Sequence, residues 1–256
     1  MYVDSHCHLD FPDLAANLDD ILIRMKRNQV ERALVVSVTL DDWPRLMALV
    51  EQHDHLHASV GVHPGYEGVE QPSIDDLLER ASHPKVIAIG ETGLDYHYQS
   101  EPLDWQRDRF RTHIQASRQS GLPVIIHTRK AVDDTLRIMR EEDAASAGGV
   151  MHCFTESLEM AEVAMEMGFY ISISGIVTFK NAKEVQEVAA KIPLERLLIE
   201  TDSPYLAPIP YRGKTNDPSY VIHVAEKIAE LRQISVAEVA EATKNNFYNL
   251  FNKLGV

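Results

Sequence analysis

Two imidazoles one residue apart, His6 and His8 in VDSHCHLD (residues 3–10), are the first residues of this chain equipped for chemistry. In an extended segment alternate side chains share a face, so His6 and His8 point together while Cys7 points away. Such a pair is half of a divalent-metal site or an accident of a short motif, and H-x-H alone does not decide. More polar residues follow. His63 closes HASVGVH, Glu91 closes VIAIGE, His127 sits in PVIIHT, His152 in GVMHC, and Asp202 follows RLLIET. Each has an ordinary alternative: Glu91 as a turn or capping carboxylate, Asp202 as an N-cap, His152 as a hydrogen-bonded core imidazole. Gathered at one mouth without a cation, however, these groups would carry a heavy desolvation cost, so a metal site explains the set better. The ligands suggest two ions, with His6, His8 and Asp202 on the first, His127 and His152 on the second, and Glu91 bridging. Mixed nitrogen and oxygen ligation suits Zn, Mn, Co or Fe, whereas Mg prefers oxygen; Mg, Mn and Zn are the candidates carried forward.

The elements that must position these residues are short β-branched runs at regular intervals: 2–6, 33–39, 57–63, 86–91, 123–128, 149–153, 169–174 and 196–201. Their near-continuous apolar character is that of parallel strands covered on both faces. Helical patterns fill the gaps. Leu14, Leu18, Ile21, Leu22 and Met25 share one face of an expected helix, and 157–168 repeats the pattern before Gly168. A third helix is expected to open at Pro102 and stop at Gly121. Eight strands alternating with helices predict a (β/α)8 TIM barrel as a single domain over 1–256, with the metal site on the C-terminal rim of the strands. A doubly wound sheet is disfavoured because no G-x-G-x-x-G turn follows an early strand. His53, His55, His83 and His113 read as solvated surface residues, and His57, at the start of its strand, as structural.

Composition limits the partners only weakly. With 25 Lys plus Arg against 39 Asp plus Glu, the net charge of −14 argues against a broad duplex-binding surface. It leaves room for a narrow pocket whose field is set by bound cations. No apolar run is long enough to span a membrane and no secretory signal opens the chain; with two cysteines, Cys7 and Cys153, the expectation is a reduced, cytoplasmic protein. Cys7 is expected to pack among the helices, and neither cysteine is assigned as a ligand.

DSHCHLD, GVHP (61–64), IGETGLDY (89–96), IIHTR (125–129), HCFT (152–155), GFYISISGIVTFKN (168–181), LLIETDSPYLAP (197–208) and NFYNLF (246–251) together resemble the TatD family of metal-dependent deoxyribonuclease-like hydrolases, within the amidohydrolase superfamily. The resemblance spans residues 2 to 251 in order and implies a TIM barrel, divalent-metal cofactors and hydrolysis of DNA phosphodiesters. It places the metal ligands on His6, His8, Glu91, His127, His152 and Asp202, and a further active-site histidine on His63. One departure is visible: Lys130 stands where the family usually has an acidic residue after H-[ST]-R. A plain carboxylate at Glu91, with no lysine at that strand end, also favours this family over amidohydrolases that bridge their metals with a carboxylated lysine.

The expected mechanism gives Asp202 a double role, ligand and general base, with Glu200 on the same face either orienting a histidine ligand or standing as a buried carboxylate in a structural salt bridge. Arg212 and Lys214 in the proline-rich loop after the last strand, with Tyr205, are the expected substrate contacts; Arg129 ranks below them, its alternative being to pair a carboxylate. Lys180 and Lys130 read as solvated charges. The favoured substrate is single-stranded DNA or frayed ends, attacked as a 3'–5' exonuclease. The competing reading is an amidohydrolase acting on a small lactone, cyclic amide or phosphoester, and a third is a metal-binding scaffold without turnover.

Overall fold

The computed structural model describes residues 1–97 and 103–255, so the expected helix start at Pro102 lies outside the described residues. Eight strands form one parallel sheet in chain order: β1 (Tyr2–Cys7), β2 (Val30–Val35), β3 (Leu56–Val60), β4 (Val86–Asp95), β5 (Val124–Arg129), β6 (Gly149–Met151), β7 (Tyr170–Ile173) and β8 (Leu197–Ile199). The sheet curls until its first and last strands meet. Cys7 bridges to Ser203, the His8 amide donates to Ser203 O (2.9 Å), and the Asp202 amide donates to His6 O (2.9 Å). Lower down, buried Asp4 accepts from the Thr201 amide (2.9 Å) and from the Thr201 hydroxyl. The seam is therefore closed by the segments that carry His6, His8 and Asp202. This is the expected (β/α)8 barrel.

Among the described residues ten α-helices surround it: α1 (Pro12–Ala15), α2 (Leu18–Arg27), α3 (Trp43–Val50), α4 (Ile74–Ala81), α5 (Asp104–Ser120), α6 (Val132–Glu141), α7 (Leu158–Glu166), α8 (Lys183–Lys191), α9 (Val221–Arg232) and α10 (Val236–Leu250). Because parallel strands are apolar on both faces, the core has two layers. The larger lies between strands and helices and includes Cys7, whose thiol donates to Leu34 O. The smaller contains Leu34, Ile87, Ile125, Val150 and Leu198, joined by Phe247 and Phe251. Ile125, Val150 and Leu198 have the strand parity of His127, His152 and Glu200, so this cluster packs the barrel interior beneath the polar mouth. Among the described residues no helix is long and apolar enough to cross a membrane.

Several expectations need correction. The single helix expected over residues 14–25 is two, because the chain turns at Ala16 and Asn17 before α2 begins. β2 starts three residues before its expected position and ends at Val35, and β4 continues four residues beyond Glu91. His113 is not a surface residue. It is fully buried on α5, where Nδ1–H donates to Arg109 O (2.8 Å) and Nε2 accepts the Val62 amide (3.0 Å). His57 is structural as expected, buried at the opening of β3 with Nε2 2.8 Å from Arg32 Nη1.

Candidate metal centre

Strand alternation and the βα turns bring the predicted residues to one mouth. His6 and Glu91 sit within β1 and β4, and His8 lies one residue past β1. His127 is near the end of β5, while His63, His152 and Asp202 stand on the turns that follow β3, β6 and β8. His6, His8, Glu91 and His152 are all buried, whereas Asp202 keeps 15% of its side chain open to solvent.

Glu91 is the hub. Its Oε1 lies 2.8 Å from His152 Nε2, 3.3 Å from His127 Nδ1 and 3.3 Å from His63 Nε2; its Oε2 lies 3.2 Å from His6 Nε2. Asp202 Oδ1 faces His8 Nε2 at 3.6 Å and His6 Nε2 at 3.7 Å. Burial opposes charge on Glu91, yet His152, His63 and His6, with His127 beside them, hold its carboxyl well below the usual range. The same contest resolves the same way at Asp202, where His8 leads the opposing groups. Burial works against protonation of His152, but Glu91 and Glu200 raise it well above an ordinary imidazole.

The outer nitrogens show which inner ones are available for a cation. His8 Nδ1–H donates to Val36 O (3.1 Å), His152 Nδ1–H to Glu200 Oε1 (3.1 Å), and His127 Nε2–H to Asp95 Oδ2 (3.2 Å). In the neutral tautomers this leaves lone pairs on His8 Nε2, His152 Nε2 and His127 Nδ1, all aimed inward, which is how ligating imidazoles are held. His6 Nε2 and His8 Nε2 sit 3.4 Å apart, and the buried His152 Nε2 has no hydrogen bond despite its closeness to Glu91. The inward lone pairs of His8 and His152, with Glu91 and Asp202 beside them, suit a cation in their midst. Three ligand groups emerge: His6, His8 and Glu91; His6, His152 and Asp202; and His63, Glu91 and His127. His63 differs from the rest. Its Nδ1 accepts the Gly65 amide (2.8 Å), so the neutral ring carries its proton on Nε2 and points a donor at Glu91. The residues fit a divalent-metal centre.

A cleft of about 690 Å³ opens above it, lined by Phe11, Tyr66, Arg129, Cys153 and Tyr205 among others. Arg129 and Tyr205, two of the expected substrate contacts, line this cleft. Arg212 and Lys214 are exposed and do not line the cleft: the Arg212 guanidinium covers the Phe179 ring at 3.9 Å, and Lys214 Nζ lies 5.8 Å from the Tyr211 ring. Lys130 and Lys180 are solvent-exposed. Glu200 is buried and faces inward as expected, accepting from both His152 and the Cys153 amide (2.8 Å). Two supporting residues escaped the sequence reading. Asp95 follows Glu91 by four in the same strand, and that even spacing was its signal; Asp4, two before His6, had the same parity signal.

A family model described as TatD related DNase matches residues 3–252. This chain belongs to the TatD family. It is a metal-dependent hydrolase of that family. It is 46% identical over 253 residues to YcfH of Escherichia coli K12, covering 98% of this chain and 95% of that protein. To YabD of Bacillus subtilis strain 168 it is 44% identical over 253 residues, covering 98% and 99%. Both relatives are named uncharacterized metal-dependent hydrolases. Among solved structures, YJJV, a TatD homologue from Escherichia coli K12, superposes with a TM-score of 0.91 at 32% identity, covering 98% of each chain. An organophosphorus hydrolase from Deinococcus radiodurans shares the fold alone, at 14% identity and a TM-score of 0.66, covering 98% of this chain and 92% of that one.

Proposed function

We propose that this TatD-family hydrolase cleaves phosphodiester bonds in DNA, working as a 3'–5' exonuclease on single strands or frayed ends with two divalent ions. The observation that carries the reading is the hub at Glu91, whose two oxygens face His6 on one side and His127 and His152 on the other. That disposition suits a carboxylate shared between two cations. Bound divalent ions supply Lewis acidity toward phosphoryl oxygens and a water acidic enough to attack near neutral pH.

The chain's own residues do the rest. His6, His8, His127, His152, Glu91 and Asp202 hold the ions. Asp202, partly open to solvent, takes the proton of the attacking water. His63, carrying its proton on Nε2 beside Glu91, would offer that N–H to an oxygen of the phosphate once the ions occupy Glu91. Glu200 and Asp95 fix the orientation of His152 and His127. Arg129 and Tyr205 meet the substrate at the cleft wall, while Arg212 and Lys214 lie outside that wall and would meet only a longer strand.

The test is product mapping on a 5'-labelled single-stranded oligonucleotide, with native, chelator-stripped and metal-restored protein. The reading expects a ladder shortening from the 3' end, lost on stripping and regained with Mn. Hydrolysis undiminished after exhaustive metal removal contradicts it, as does inertness toward oligonucleotides with turnover of a lactone or cyclic amide.

A further inference from the structure

The cleft wall is aromatic where a nucleic-acid enzyme would be expected to be basic. Among the described residues that line it, Arg129 is the one permanently cationic side chain, against Glu91, Asp95 and Asp202. With a net charge of −14 over the whole chain, long-range attraction to phosphates contributes little to holding a strand. Large apolar surface is nevertheless left in water at this rim. Tyr205 is 55% exposed and Tyr66 37% exposed, and both line the cleft. Phe11 links them to the metal centre: its ring stacks on the ligand His8 at 4.7 Å and meets Tyr205 edge-on at 6.4 Å. On the other side Tyr66 stands edge-on to His63 at 6.0 Å.

The exposed rings sit on a fixed backbone. The Tyr205 amide donates to Asp202 O (3.1 Å), and Tyr205 O accepts Asn216 Nδ2 (2.6 Å), whose buried side chain also binds Thr201 O (2.9 Å). The Tyr66 amide donates to His63 O (3.2 Å), which is also held by Arg109 Nη1 (2.9 Å). An exposed ring on a backbone fixed before binding is a stacking platform that loses little freedom when it engages.

We infer that Tyr205 with Phe11 on one side, and Tyr66 on the other, form a clamp for unstacked nucleobases flanking the scissile phosphate. The inference rests on the DNA reading above and adds the means of holding the strand: stacking on bases in place of phosphate attraction. It predicts a preference for single strands, because bases stacked within a duplex cannot offer their faces to the rim.

The test compares a single-stranded oligonucleotide carrying 2-aminopurine near its 3' end with the same strand made abasic over its two terminal nucleotides. Native protein, Tyr205→Ala, Tyr205→Phe and Tyr66→Ala are each assayed in Mn for KM on both strands, and in chelator for quenching of 2-aminopurine fluorescence. Stacking on this scale corresponds to about a fivefold to hundredfold change in affinity per base, so two bases together exceed about tenfold. The native enzyme should show a KM at least about tenfold lower on the base-bearing strand. That ratio should fall severalfold in either alanine variant, which keeps the opposite side of the clamp, and survive in Tyr205→Phe, with quenching following the same order. The clamp is overturned if native protein does not distinguish the strands, does not quench, or if the alanine variants, folded by their unfolding midpoints, change KM equally on both strands. Inertness of native metal-loaded protein toward both strands overturns the DNA reading itself, a different result from hydrolysis without base dependence.

Discussion

Replacing Glu200 by glutamine isolates the support of one ligand from the ligand itself. Glu200 is buried, and one oxygen receives both His152 Nδ1–H (3.1 Å) and the Cys153 amide (2.8 Å), while its other oxygen has no partner. A glutamine carbonyl can occupy the shared position with its amide in the unpartnered place, so shape and both bonds survive and the charge is lost. A charge-assisted bond is worth about 1.5–3 kcal/mol against about 0.5–1.5 for a neutral one, so the change is on the order of 1–2 kcal/mol. The imidazole becomes a poorer donor to its cation by that amount, and metal affinity should fall about tenfold, at the lower end of the range for such outer partners. Glu200→Ala strips both buried donors and should cost about 2–5 kcal/mol of fold stability as well. The assay is competition with a calibrated chelator, alongside urea unfolding of the metal-free proteins. Glu200→Gln should bind metal more weakly while unfolding near the native midpoint. Unchanged metal affinity in a folded Glu200→Gln protein would refute the coupling of Glu200 to the centre.

Asp202→Asn should lower kcat by roughly two to four orders of magnitude in metal-loaded protein, as expected for loss of a general base, and a folded variant of native activity would exclude that role. Burial holds His113 down to about 4, so the unfolded chain takes up a proton below about pH 6.5 that the folded chain refuses. Its contribution is complete above pH 6.5 and is lost as pH falls toward 4, about 3 kcal/mol in all; His113→Gln should flatten urea midpoints measured between pH 7 and pH 4.5. Gly93, at φ +131, pairs with His127, and a Cβ there would lie 2.0 Å from His127 O. Gly93→Ala should therefore destabilise by about 3 kcal/mol or more in thermal or urea unfolding, and a native midpoint would contradict this packing.

The barrel was legible because strands covered on both faces announce themselves as apolar runs, and the rim was legible because its histidines and carboxylates end those runs. Element boundaries were less so. β4 passes through the polar residues Glu91 and Thr92 to Asp95, and composition alone suggests that it stops at the first charge. His113 was misread because an imidazole in a polar helix looks solvated until tertiary packing supplies Val62 as its partner. Arg212 and Lys214 follow the last strand in sequence, but the proline-rich loop carries them past the cleft, and Arg212 settles on Phe179. Glu200 is named from the sequence as a supporting carboxylate and Asp95 is not. Both share a strand face with a ligand, but only the fold puts each within reach of its histidine.

We propose that Glu91 is shared by two ions. Electron paramagnetic resonance of the protein titrated with Mn tests it most directly. Two equivalents bound and a broadened, exchange-coupled spectrum are predicted, with the coupling lost in Glu91→Gln. Saturation at one equivalent with an isolated six-line signal would contradict it.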